Sequence, residues 1–365
     1  MEVGVVVQLT ELRLENLRNI VELQFEPARG FNVFTGANGA GKTSILEAVY
    51  VLSHGHSFRT RRSELLVRSG AADLSIFGIV GRESGGSRRL GMVQADGRWS
   101  ARVDGSTPAN LASALVHVAA VCFDPGAHAL ISGPSDERRR FVDWGVFHVE
   151  PEHVDRVRRY RRALRQRNLV LRDGLADREL DAWDQELVLT AEPVAAARQR
   201  YLDRLEPRLE RLLAEYLPEL GAARLETSPG WKADRPFSAV LADARALDRT
   251  RGHTTRGPHR AGWSITFPGA ARREHLSRGQ EKLCAIASAL AQAELYRGDH
   301  GEWPIVLLDD LPSELDAAHQ DQVLRSLAGA DQVWLSSTEV PAALGRTGAV
   351  FRRFHVEQGR IQGLL

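Results

Sequence analysis

"FNVFTGANGAGKTSILEAVYVL", Phe31 to Leu52, carries a short apolar run, then a glycine-rich turn, then a helical stretch. Gly36 to Thr43 fits G-x-x-x-x-G-K-[ST] at every position, with Asn38, Gly39 and Ala40 filling the loop with small residues. Glycines at that spacing let backbone N–H groups converge on a phosphate at a helix N-terminus, where the dipole favours an anion. Lys42 offers a compact charge to β- and γ-phosphates, which arginine's planar fork would do less well. Thr43 offers a hydroxyl to Mg²⁺. The candidate nucleotide contacts are therefore Gly36, Ala37, Asn38, Gly39, Ala40, Gly41, Lys42, Thr43 and Ser44. An ordinary strand-to-helix turn would have no need to fill every one of these positions.

Such a loop needs an acidic partner for the metal, and "WPIVLLDDLPSELD" supplies one. Ile305 to Leu308 is a continuous apolar run, as a strand buried on both faces requires. Asp309 at its end is placed to hold Mg²⁺ with Thr43, and Asp310 to orient or deprotonate an attacking water.

The stretch "HLSRGQEKL", His275 to Leu283, reads locally as a helix start. Ser277 and Gln280 form the S-x-x-Q of a capping box, and Leu283, Ile286, Ala287 and Leu290 form a core-facing stripe. Gly279 is out of place in that reading, because glycine weakens a helix.

The 365 residues allow two domains and a sizeable core. Hydrophobic residues at 43% and charged residues at 26% are those of a globular protein. "MEVGVVVQLTELRLENLRN" has an acidic second residue and an apolar run broken at Gln8, unlike a signal peptide or anchor. No apolar stretch is long enough to span a membrane. Cys122 and Cys284 sit in apolar company without metal-ligand spacing, as reduced core residues of a cytosolic protein do. Only three of the 48 basic residues are lysine, and Lys42 is one of them. A net charge of +1 decides nothing about nucleic acid.

The order of the phosphate loop, "LSRGQ", Asp309 and "SELD" (Ser313–Asp316) resembles that of the ABC-type ATPases. The resemblance implies ATP and Mg²⁺ as cofactors. It also implies that Ser277, Gly279, Gln280 and Asp316 act on ATP held in the loop of a second subunit, which would explain the glycine, since a side chain there would block the phosphate. A head-to-tail homodimer closed by ATP follows. Transporter subunits of this superfamily carry a histidine after the strand that follows Asp309, whereas "QVWLSSTE" ends in Ser336, Ser337 and Thr338. The chromosome-maintenance branch inserts hundreds of coiled-coil residues; here the insert is short, and Pro193 and Pro207 are expected to interrupt its helices. A small-molecule kinase with a phosphate loop would have no use for "LSRGQ".

More specific segments are "LRLENLRNI" (Leu12–Ile20), "GHSFRT" (Gly55–Thr60), "ERRRFVDWGVFHVEPEH" (Glu137–His153), "RALRQRN" (Arg162–Asn168), "WDQELV" (Trp183–Val188), "TTRGPHRA" (Thr254–Ala261) and "FHVEQGRI" (Phe354–Ile361). Together with "LSRGQEKL" and "DDLPSELD" they resemble the RecF family of bacterial recombination mediators, in the family's order and over nearly the whole chain. The resemblance implies a cytoplasmic, nucleoid-associated protein that binds double-stranded and gapped DNA. With RecR, and with RecO, it would help load RecA, slow hydrolysis acting as a release timer. It also implies Arg18 as a nucleotide contact. Two positions depart from the family pattern: Gly126-Ala127 follow Phe123-Asp124-Pro125 in place of an acidic pair, and Gly262 stands where an aspartate is usual.

The expected fold class is α/β, an ABC-type P-loop ATPase head with a mixed β-sheet and parallel core plus an inserted α-helical arm. Strand-like runs fall at Leu9–Leu14, Phe31–Phe34, Ser75–Gly81, Arg89–Gln94 and Val116–Phe123. Residues 1–124 and 251–365 would form the ATPase domain, and 125–250 the arm, with two helices of about 25–30 residues reaching roughly 40 Å. Arg59, Arg61 and Arg62 are the candidate DNA contacts. Further arginines, Arg138–Arg140 and seven between Arg156 and Arg167, mark the start of the arm. Aromatic residues are not interleaved with these clusters along the chain, which favours phosphate contacts on a duplex over base stacking.

Overall fold

The computed structural model describes residues 8–81, 86–174, 177–268 and 276–364. Met1–Val7, and His275 of the "HLSRGQEKL" stretch, lie outside them. The chain forms two compact units, residues 1–127 with 278–365, and residues 128–277.

The first unit contains strands β1 (Gln8–Leu17), β2 (Ile20–Phe25), β3 (Gly30–Thr35), β4 (Asp73–Gly81), β5 (Ser87–Ala95), β6 (Arg98–Val103) and β7 (Ala120–Phe123). Helices α1 (Lys42–His54) and α2 (Ala112–Leu115) lie between them in sequence. An antiparallel sheet has the order β2-β1-β4-β5-β6. Its strands alternate: on β4, Leu74, Ile76 and Val80 are buried against the core while Ser75, Phe77 and Ile79 on the other face are half-buried.

The second unit begins with α3 (Ala129–Ser132), α4 (Ser135–Val149), α5 (His153–Asp173) and α6 (Asp177–Tyr216). It continues through β8 (Arg224–Ser228), α7 (Phe237–Arg251) and β9 (Gly262–Thr266). The sequence pattern returns the chain to the first domain at residue 251, but among the described residues β9 pairs with β8, and the segment to residue 277 belongs to the second unit.

The first unit then resumes with α8 (Arg278–His300), β10 (Ile305–Asp309), α9 (Leu311–Glu314), α10 (Ala317–Ser326), β11 (Gln332–Ser337), α11 (Ala342–Arg346), β12 (Phe351–Glu357) and β13 (Arg360–Leu364). Its second sheet has the order β13-β12-β3-β11-β10-β7, with β12, β3, β11, β10 and β7 mutually parallel and β13 an antiparallel edge. Every residue of β10 and β11 is buried, as the apolar runs Ile305–Leu308 and Val333–Leu335 require, and the polar Gln332, Ser336, Ser337 and Asp309 at the strand ends are buried with them. Helix α1 packs on strands of both sheets, and Ile45, Leu46, Ala48, Val49, Val51 and Leu52 are wholly buried. This is why its sequence is apolar almost all round.

Two expectations need correction. "VHVAAVCF" is strand only over Ala120–Phe123. Pro193 and Pro207 do not interrupt the arm, because α6 runs through both for 40 residues, about 60 Å. Both prolines lie on the exposed face of the helix, where water can satisfy the carbonyls that their missing N–H groups leave without a partner. The opposite face, including Leu187, Ala191, Val194 and Leu205, is fully buried and holds the helix together. No helix among the described residues is long and apolar enough to cross a membrane.

Candidate nucleotide-binding site

The register of the parallel sheet brings three strand ends to one level. Phe34 pairs with Ser336, and Ser336 with Asp309. The phosphate-loop sequence leaves β3 here, in the crevice beyond the carboxyl ends of the strands where ligands of such sheets bind. Gly36 (φ 147°) passes so close to β12 that a Cβ would lie 2.2 Å from Val356 O. Gly41 (φ 114°) opens α1 in the left-handed region. The first turn of α1 contains no acidic side chain, and no described side chain caps it, so its N–H groups face the loop with their dipole uncompensated. Lys42 Nζ lies across the loop, donating to Gly36 O at 2.7 Å and Ala37 O at 2.9 Å. Burial holds the ammonium below its usual pKa, opposed by the charges of Asp310 and Asp309.

Thr43 Oγ1 donates to Asp309 Oδ1 at 2.8 Å, joining positions 266 apart in sequence. Ser336 Oγ donates to the same oxygen at 2.6 Å. Burial pushes the Asp309 carboxyl above its usual pKa, with the Ser336 and Thr43 hydrogen bonds pulling the other way. A hydroxyl and a carboxylate side by side are hard oxygen donors of the kind Mg²⁺ takes alongside phosphates, so these residues fit the ion. Asp310 adopts φ 52°, ψ 37°. Its N–H is held by Ser336 O (3.1 Å) and Oγ (3.0 Å), and its carboxylate accepts from Ser313 at 2.6 Å. A left-handed aspartate costs about 1–3 kcal/mol and persists where surrounding contacts over-determine it.

Arg18 uses its donors on the protein. It forms a two-pronged pair with the fully buried Glu47 (3.0 and 2.8 Å) and donates to Leu65 O. The contact to the loop comes from its neighbour Asn19, whose Nδ2 donates to Gly39 O at 3.0 Å. Glu47 also accepts from Ser57 Oγ, which in turn accepts the N–H groups of Arg59 and Thr60. One buried carboxylate thus ties the β1–β2 hairpin, α1 and the basic segment together. Arg59, Arg61 and Arg62 are exposed there. Sequence reasoning missed Asn19, Glu47 and Ser336; the only signal was a lone acidic residue in an apolar helix.

Ser277 and Gly279 are exposed at the start of α8, and Gln280 is half-buried. Leu283, Ile286, Ala287 and Leu290 are buried, as their spacing requires. Asp316 caps α10, accepting from the N–H groups of Ala318 and His319. Those bonds, led by the one from His319, hold its carboxyl below the usual range.

Of the arm arginines, Arg167 is not a surface residue. It is wholly buried, donating to Asp184, Asp248 (2.7 Å) and Thr254 (2.8 Å). Arg156, Arg158 and Arg159 are ion-paired, whereas Arg161, Arg162 and Arg165 are exposed without ion-pair partners among the described residues. The "RALRQRN", "WDQELV" and "TTRGPHRA" segments meet in this buried network, which extends to Tyr160 and His259 (2.6 Å).

A DNA replication and repair protein RecF of Stenotrophomonas maltophilia (strain R551-3) is 46% identical over 362 residues, covering 97% of this chain and 99% of that protein. The chain belongs to the RecF family. The RecF of Xanthomonas axonopodis pv. citri (strain 306) is 44% identical, covering 97% and 98%. A family model described as an AAA domain matches residues 11–88. Among solved structures, the recombination mediator protein RecF with ATP, of the RecFOR pathway, has a TM-score of 0.88 at 24% identity, covering 100% of this chain and 99% of that one. An Smc head bound to the C-terminal winged-helix domain of ScpA has a TM-score of 0.60 at 17% identity, covering 98% and 97%. Membership makes this chain a DNA replication and repair protein with the fold of the RecF and Smc ATPase heads.

Proposed function

We propose that this RecF-family protein is an ATP-gated DNA clamp whose hydrolysis is a timer. The observation that carries the reading is the Thr43–Asp309 contact, which joins the phosphate loop to an acidic strand end at the mouth of a parallel sheet. ATP would lie along Gly36–Ser44 with its β- and γ-phosphates at Lys42. Mg²⁺ held by Thr43 and Asp309 would neutralise the charge that develops on the transferred phosphoryl group. Asp310, its backbone fixed by Ser336, would orient the attacking water.

The exposed start of α8 would complete the site in trans. Ser277, Gly279, Gln280 and Asp316 of one subunit would meet the γ-phosphate held by another, closing a head-to-tail homodimer with two composite sites. Arg59, Arg61 and Arg62 would contact phosphates of double-stranded or gapped DNA without reading bases. Slow hydrolysis would reopen the dimer. The cellular task would be to mark gaps and, with RecR and RecO, to help load RecA, in the cytoplasm and at the nucleoid. Sedimentation with ATP·Mg²⁺, with and without gapped duplex, tests this. A dimer should form only with ATP and be retained on the DNA. A chain that stays monomeric with saturating ATP sinks the reading.

A further inference from the structure

The solvent face of the antiparallel sheet carries a feature that the nucleotide site does not use. Arg13 on β1 pairs with Phe77 on β4, Phe77 with Gly91 on β5, and Gly91 with Arg102 on β6. These four residues therefore form one row across the sheet, with neighbouring strands about 4.8 Å apart. The Arg13 guanidinium sits over the Phe77 ring, 5.2 Å from its centroid, while its Nε donates to Glu11. Gly91 has no side chain to cover the other flank of the ring. A Cβ built there would lie 3.9 Å from Phe77 Cδ2 and meet nothing else within 4 Å.

The bare flank opens into a hollow of about 570 Å³, bounded by Phe77, Arg89, Gly91, Arg102 and the Asp104-Gly105 turn. That volume is within the usual range of ligand sites. Arg89 and Arg102 are exposed and have no ion-pair partner among the described residues. Asp104 is already engaged, by Arg88 Nη1 at 2.5 Å and the Arg89 N–H at 2.9 Å. The hollow therefore keeps two uncompensated positive charges beside an accessible aromatic ring. Val93 on β5, 39% exposed, continues apolar surface along the same face.

We propose that this face binds single-stranded nucleic acid, with a base stacked against Phe77 and phosphodiester groups at Arg89 and Arg102. An aromatic ring flanked by cations suits an unpaired base on a charged backbone, since every base has a π-face and every linkage an anion. The interleaving of aromatic and basic residues, absent along the chain, is produced by the register of four strands. The proposal is independent of ATP gating and of the Arg59–Arg62 segment, so it can fail or hold separately from the clamp reading.

The test is fluorescence anisotropy on the full chain with labelled oligo(dT), oligo(rU), an abasic oligomer of equal length and a blunt duplex. The wild-type protein should bind oligo(dT) about tenfold more tightly than the abasic strand, the size expected for one stacked base. Phe77→Leu, which keeps apolar bulk, and Gly91→Val, which fills the hollow, should each remove that preference and leave duplex binding unchanged. Arg89→Gln with Arg102→Gln should lower the salt slope for oligo(dT) by about 1.4, for two phosphate contacts. Tighter binding of oligo(dT) than oligo(rU) marks DNA as the ligand; the reverse marks RNA. Thermal unfolding checks folding, and Phe77→Leu decides if the valine variant is unstable. No preference for bases over abasic sites in the wild type overturns the proposal. So does a folded Phe77→Leu variant with wild-type affinity, or equal losses for oligo(dT) and duplex.

Discussion

Ser336 donates its hydroxyl to Asp309 Oδ1 at 2.6 Å and accepts the Asp310 N–H on the same oxygen at 3.0 Å. One residue of the central strand therefore governs both acidic residues of the site. Ser336→Ala removes a hydrogen bond that opposes the upward push of burial on Asp309, so the carboxyl should hold its proton to higher pH. Mg²⁺ needs the carboxylate, so metal-dependent ATP affinity should be lost as pH falls through that raised pKa. The loss should begin at a higher pH in the variant. At neutral pH we expect about a tenfold loss, the size of one hydrogen bond to a charged group. Calorimetric ATP titrations with and without Mg²⁺ across pH check this. An identical pH dependence in the two proteins would remove the assigned role of Ser336.

The Arg18–Glu47 pair should behave as a buried ion pair broken from one side. Arg18→Met leaves Glu47 wholly buried with its main partner gone, at a cost of about 3–5 kcal/mol. Adding Glu47→Leu removes the stranded charge and should recover most of that loss. The measurement is the urea midpoint of the first unit. A double variant no more stable than Arg18→Met would show that the arginine acts through its bond to Leu65 instead.

In the second unit, His259 should make stability depend on acid. Nδ1 accepts from Tyr160 and Nε2 donates to Thr254 O at 3.0 Å, which fixes the neutral tautomer. Burial lowers its pKa to about 4. The unfolded chain takes up the proton near 6.5 and the folded one only near 4, so stability falls as pH drops between those values. The full loss is roughly 3 kcal/mol. His259→Gln should flatten that slope in thermal unfolding followed from pH 7.5 to 4. An unchanged slope would assign the acid sensitivity to other groups.

How much of this was legible beforehand depended on whether the chemistry is contiguous. Gly36 to Thr43 and the apolar run into Asp309 could be read directly, because a phosphate cradle and a buried strand impose their patterns on neighbouring residues. Ser336 could not, since nothing in "QVWLSS" says which acid stands beside it until the β10–β11 register is known. Glu47 belongs to no motif, and its place as a hub follows only from Arg18 and Ser57 reaching it in the fold. Pro193 and Pro207 were misread because a local rule lost to one continuous buried face on α6. The aromatic row at Phe77 was invisible for a related reason: its members come from four strands. "TTRGPHRA" was legible as a family mark, but its work of pinning a loop to Asn168, Asp248 and Tyr160 was not.

The trans role of "LSRGQ" has the sharpest test. Ser277 is exposed immediately before α8, so substitutions there should leave the fold intact. If Ser277 is only a helix cap, Ser277→Ala should cost about 1 kcal/mol of stability and nothing else. If it reaches the γ-phosphate in another subunit, Ser277→Arg should give a folded monomer that binds ATP through Lys42 but neither dimerises nor hydrolyses it. Lys42→Met should fail earlier, at ATP binding itself. A mixed dimer of the two variants has one composite site with both defects and one with neither. Mixing should therefore restore part of the dimerisation and turnover that each variant lacks alone, as read by sedimentation and phosphate release. Two correctly folded variants that show no rescue when mixed would count decisively against shared sites. An alanine variant with normal dimerisation and turnover would return "LSRGQ" to a capping box.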